Sequence, residues 1–144
     1  MATSGTWVYW ALLSPVFAAL TAIFAKVAIH GVSSDLATLI RTAIILVVLA
    51  VFVRFTGQWQ NPFALPARVW TFLVLSGLAT GASWLCYFRA LQVGQASLVA
   101  PIDKLSVVLV AVFAVAFLDE RPALRDWAGI LLVTAGVLVL VFKR

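Results

Sequence analysis

Apolar residues in this chain do not alternate with polar ones; they run together in five long blocks. Each block approaches the roughly 20 residues a helix needs to cross a bilayer. They predict helices over about 7–29, 35–55, 68–89, 96–118 and 124–142. The polar positions fall between them. His30-Gly31 closes the first block, and Ser33, Ser34 and Asp35 supply N-cap chemistry for the second. A loop from Thr56 to Ala67, carrying Pro62 and Pro66, separates the second block from the third, and the other connections are short. The pattern therefore predicts an all-α membrane protein, a bundle of five transmembrane helices forming a single domain over residues 1–144.

Composition strengthens this reading and closes off others. The chain is 65% hydrophobic and 10% charged, with a mean hydropathy of +1.14; a soluble domain carries about 25% charged residues. Net charge is +5, but the cations stand singly, without the basic stripe of a nucleic-acid binder. Cys86 is the lone cysteine, so no intrachain disulfide forms. His30 is the lone histidine, which leaves no usual zinc site. No CxxC, HExxH, GxSxG or Walker spacing occurs, and no nucleophile stands with a base, so neither an enzyme nor a cofactor is expected. Met1 to Thr6 holds no Lys or Arg, and the block from Trp7 to Ile29 is too long for a signal-peptide core, so it is expected to stay as a helix.

Small residues and loop charges bear on assembly. Gly77 and Gly81 form a GxxxG pair, while Gly129 and Gly136 lie seven apart and share a face. Small residues let helix backbones approach closely in lipid, either within the protomer or between copies. Five spans put the two ends of the chain on opposite sides. The side of the first residue then holds Arg54, Arg68, Arg121 and Arg125; the other holds Lys26, Arg89, Lys143 and Arg144. Loop cations orient membrane proteins through the positive-inside bias, and four against four gives no bias. Two readings stay open: insertion in both orientations, with pairing to an inverted copy, or one fixed orientation. Trp7, Trp10, Trp59, Trp70 and Trp127 cluster toward the first side as an interfacial belt, whereas Trp84 and Tyr87 lie toward the second.

The charges inside the apolar blocks are the candidate chemistry. Lys26 lies near the end of the first helix, Arg41 is well inside the second, Arg89 ends the third, and Asp103 and Lys104 are inside the fourth just after Pro101. Intramembrane ionisable groups are expensive and by default face a cavity or one another. For Lys26 and Arg89 the competing reading is snorkelling to the interface; for Asp103, a structural ion pair. Asp103 and Lys104, about 100° apart on a helix, are not expected to face each other, so Asp103 should find Arg41, Lys26 or Arg89. Pro101 lacks a backbone N–H and is a candidate helix break. Four cations against one anion favour an anionic or zwitterionic ligand. The candidate substrate-binding set is Arg41, Asp103, Lys104, Lys26, Arg89, Trp84 and Tyr87.

The stretches Ala25 to Ile44, Ser76 to Ser97 and Val99 to Val108 resemble the EamA-type branch of the drug/metabolite transporter superfamily. LDERP (Leu118 to Pro122) is similar to that family's end of helix four, and GILLVTAGVLVLV (Gly129 to Val141) to its glycine-punctuated last helix. Most members carry two five-helix repeats in inverted orientation; this chain resembles the single-repeat members. The resemblance implies a small-molecule transporter in a bacterial inner membrane, working by alternating access as a dimer, in which an inverted homodimer recreates the two-repeat arrangement. Asp119 departs from the pattern, standing where glycine is common, so a different turn is expected there. Alternatives are a small dimeric channel, a non-transporting helper and a lipid-phosphate flippase subunit.

Overall fold

The computed structural model describes residues 6–142, and the five predicted blocks are helical. α1 is Thr6–Ala28, α2 Ser34–Phe55, α3 Ala67–Val93, α4 Ala96–Asp103, α5 Ser106–Leu118 and α6 Leu124–Phe142, with a short 3-10 turn at Pro62–Ala64. Among the described residues there is no strand. Five stretches are long and apolar enough to cross a membrane, with α4 and α5 together making one of them. The expected boundaries hold within two residues except at the end of α3, which runs on to Val93. Lys143 and Arg144, which entered the charge count, lie outside the described residues, as do the first five residues.

The helix ends follow from local chemistry. Gly31, at φ +81°, turns the chain after α1. Ser33 then caps α2, its hydroxyl accepting from the Leu36 N–H at 3.3 Å. α2 closes with two bonds that cross its last turn, Gln58 N–H to the Val53 carbonyl and Gly57 N–H to the Arg54 carbonyl. This Schellman arrangement needs a left-handed residue, and Gly57 supplies it at φ +68°. The Trp70 indole donates to the Pro62 carbonyl at 2.9 Å, tying the 3-10 turn to the start of α3. At α6 the Asp126 carboxylate accepts the Ala123 N–H at 2.9 Å, the reciprocal half of a capping box.

At Asp119 the structure differs from expectation. Its φ is +53°, the left-handed conformation a glycine would take, and the Glu120 N–H reaches back to the Ala114 carbonyl. Aspartate is among the few side chains that enter this region readily, so the glycine-type turn is kept.

The chain forms two compact units, one ending at Val93 and the other beginning at Gly94. In the first, α3 packs against both α1 and α2. The buried residues are Ala22, Ala25 and Ile29 from α1 and its end, Ser34 and Thr38 from α2, and Phe88 and Leu91 from α3. All belong to the end of this unit where α1 turns into α2. The other ends of these helices, including Trp7 to Leu20 and Ala67 to Thr80, are exposed. In the second unit α6 packs against α4 and α5, with Ala111, Ala114 and Val137 buried.

Several threonine hydroxyls within the spans are satisfied locally. Thr38, Thr42, Thr80 and Thr134 each donate to the carbonyl four residues back, which suits a medium without water to pair them. The glycines behave differently from one part of the sequence reading. A methyl built at Gly77, Gly81, Gly129 or Gly136 would meet nothing within 4 Å. None of the four marks a close helix approach inside the described protomer.

Candidate functional site

Arg41 lies seven residues beyond Ser34, roughly 10 Å into α2 at the rise of about 1.5 Å per residue. Its guanidinium sits 4.2 Å from the centroid of the Trp84 ring and 5.2 Å from that of Phe88. These two aromatics are four residues apart and so share a face of α3. Stacking uses the flat face of a guanidinium and leaves its N–H edge available. Among the described residues of its own unit, no acidic side chain pairs with Arg41. The residue also lines a cleft of about 260 Å³ together with Thr21, Phe24, Ala25, Ala28, Ala37 and Phe88. Alanines at three of these positions leave the space that larger side chains would fill.

The two cations nearest this end of the unit, Lys26 and Arg89, are engaged elsewhere. Lys26 donates to the Leu91 carbonyl at 2.6 Å, a last-turn carbonyl of α3 with no partner further along its helix. Arg89 grips Asp35 with two prongs, Nε to Oδ1 at 3.1 Å and Nη2 to Oδ2 at 2.9 Å. Gln92 adds a third tether, from its amide to the Val32 carbonyl at 3.3 Å. Together these bonds fasten the end of α3 to the turn between α1 and α2. The charge count from sequence needs correcting here. Asp35, cap chemistry by its sequence position, is also the anion that takes Arg89. A carboxylate 54 residues away in sequence gives no local signal of that pairing.

Trp84 and Tyr87 are both half-buried. Trp84 backs Arg41 and is not among the residues that line the cleft. Tyr87 meets Phe88 edge-on, with centroids 6.4 Å apart.

In the second unit the helix does break. α4 ends at Asp103, and α5 begins at Ser106. The Lys104 and Leu105 N–H groups bond to the Pro101 and Ile102 carbonyls, three residues back, at 2.9 and 3.0 Å. Pro101 stands just before this turn and lacks the N–H that would reach the Ser97 carbonyl. Asp103 pairs with Lys104, Oδ2 to Nζ at 3.3 Å. The expectation that these neighbours do not face each other, and that Asp103 finds Arg41, Lys26 or Arg89, gives way to this pair, with Lys104 at the C-cap beyond the α-helix.

Five helical stretches long and apolar enough to cross a bilayer define a multi-pass membrane protein. The chain belongs to the EamA-like transporter family, which it matches over residues 5–142. It is 59% identical over 137 residues to an uncharacterized transporter in the cobO 3′ region of Sinorhizobium sp, covering 95% of this chain and 97% of that one. It is 28% identical over 141 residues to the uncharacterized transporter YxxF of Bacillus subtilis (strain 168), covering 97% of this chain and 44% of the relative. The chain thus spans less than half the length of the Bacillus protein. No solved structure matches.

Proposed function

We propose that this membrane transporter carries a small anionic or zwitterionic metabolite across a bacterial inner membrane by alternating access, as a dimer. The observation that carries the ligand's charge is Arg41. Its guanidinium is cushioned on Trp84 and Phe88, edges a cleft, and has no carboxylate partner in its unit. An unpaired cation at that depth is costly in hydrocarbon, and an anion docking on its N–H edge relieves the cost with charge-assisted hydrogen bonds. At the end of this unit where α1 turns into α2, Lys26, Arg41 and Arg89 face one anion, Asp35, so the local balance is positive.

The dimer rests on length. One five-span chain matches 44% of the Bacillus relative, and two copies supply a comparable length. The balanced loop charges favour an inverted pair. Asp103 and Lys104 stand beside the break after α4, and Asp103 exchanges a proton if transport is proton-coupled.

Reconstitution into proteoliposomes tests the whole reading. Uptake or counterflow of an anionic metabolite is expected, with Arg41→Ala abolishing it while the protein stays folded. Flux unchanged by Arg41→Ala removes the assignment. Uptake indifferent both to a pH gradient and to Asp103→Asn removes proton coupling alone.

A further inference from the structure

The cleft at Arg41 has a character that narrows its ligand. One wall is α1, through Thr21, Phe24, Ala25 and Ala28, which share a helix face; α2 contributes Ala37 and Arg41, and α3 contributes Phe88. Among these lining residues stands a single cation and, apart from the Thr21 hydroxyl, no other polar side chain. Lys26 is bonded to Leu91 and Arg89 to Asp35, so neither adds a second positive lining group.

Three consequences follow. A phosphate dianion would bring more charge and more acceptor positions than one guanidinium edge satisfies, and polar groups buried without partners are penalised. Sugar hydroxyls would meet alanine and phenylalanine and lose the hydrogen bonds they make in water. A carboxylate, by contrast, matches one guanidinium edge with two parallel bonds. The volume, about 260 Å³, falls just below the roughly 300–1,000 Å³ of sites for drug-sized ligands.

We infer that this cleft binds a monoanionic organic acid with a compact apolar or aromatic body. The carboxylate lies on the free edge of Arg41, and the body lies between Phe24, Phe88 and the alanines. Trp84 is a positioning residue: it holds the guanidinium flat so that its edge faces the cleft. The inference rests on the proposed role of Arg41 as the anion contact and adds the chemical class of what it contacts.

Calorimetry on the full chain in lipid nanodiscs tests this with four probes: 3-phenylpropionate, its neutral amide, propionate and glycerol 3-phosphate. In the wild type, 3-phenylpropionate binds at least about tenfold more tightly than each of the others, the span of one charged hydrogen-bonding contact or several buried methylenes. Arg41→Gln weakens it about 10- to 100-fold. Ala28→Leu fills the cleft and removes 3-phenylpropionate binding while propionate binding persists. Equal binding of acid and amide overturns the inference, because it reports partition into apolar surface. So does tighter binding of propionate or glycerol 3-phosphate, or an unaltered Arg41→Gln protein. If Arg41→Gln fails to fold, the acid–amide comparison in the wild type and the Ala28→Leu variant decide.

The transport reading fails separately. If glycerol 3-phosphate binds through Arg41 and is transported, the organic-acid class falls and the transporter stands. If 3-phenylpropionate binds as expected but no solute crosses proteoliposomes, the class stands and the transport mechanism falls.

Discussion

At the scale of single residues, two side chains occupy positions that ordinary residues would not. Asp119 holds a left-handed conformation at the end of α5. That region costs most L-residues about 1–2 kcal/mol, and glycine nothing. Asp119→Gly should therefore preserve or raise thermal stability in detergent, whereas Asp119→Val should lower stability by about 1–2 kcal/mol; unfolding monitored by circular dichroism distinguishes them. Arg41 is the other. Its aromatic bed predicts that Trp84→Ala weakens ligand binding more than it weakens folding, because the guanidinium loses the ring that fixes it. Isothermal titration against thermal unfolding separates the two effects, and equal losses in both would reduce Trp84 to a packing residue. Arg41 was legible in the sequence, since a guanidinium inside an apolar block stands out by contrast. Asp35 was not, because its position next to Ser33 and Ser34 explains it fully as a cap until the fold brings Arg89 to it.

Among elements, the spans themselves were the most legible part of the chain. Apolar runs of about bilayer length leave little freedom, and Gly31, Gly57 and Pro66 mark their ends. The break after α4 was half legible. Pro101 signalled it, but the turn falls at Lys104 and Leu105, where the chain tightens through bonds to carbonyls three residues back. Restoring an N–H with Pro101→Ala should slow amide exchange from Ala100 through Leu105, as the ladder regains a rung. Unchanged exchange there would clear the proline as the cause. The joint between α3 and the α1–α2 turn predicts its own signature. Arg89→Lys keeps the charge but cannot reproduce the two-pronged grip on Asp35, so exchange should quicken in the Gly31 to Asp35 segment while the rest of α2 is unaffected.

For the whole molecule, the membrane is the first partner, and most of the large apolar side chains are exposed to meet it. Gly77 lies on the exposed part of α3 and Gly81 at its edge, both with open space where a side chain would go. If a second copy packs there, Gly81→Leu should leave the helical content of the protomer unchanged and shift the protein toward monomer, read by light scattering in mild detergent. An unchanged oligomer would move the contact off α3. Orientation is tested by placing a cysteine at Gln58 in a Cys86→Ser background. An impermeant maleimide should then label only part of the population in intact cells and the rest after permeabilisation. Complete or absent labelling would mean one orientation and would exclude the inverted pair. None of this was settled by the sequence, because near-balanced loop charges are silent about direction by their nature.

The three tethers around Leu91, Asp35 and Val32 gather at one extremity of the first unit, and almost all of its buried residues gather with them. Such an arrangement is a fulcrum. A helix of about 20 residues is roughly 30 Å long, so a tilt of about 10° at the fastened extremity sweeps the far one through roughly 5 Å. Arg41, close to the fulcrum, would scarcely stir during that swing, while the distant tips would open and shut a passage wide enough for a small acid. Under the proposed transport role, geometry of this kind would separate holding from admitting, with the leverage at the far ends of the helices.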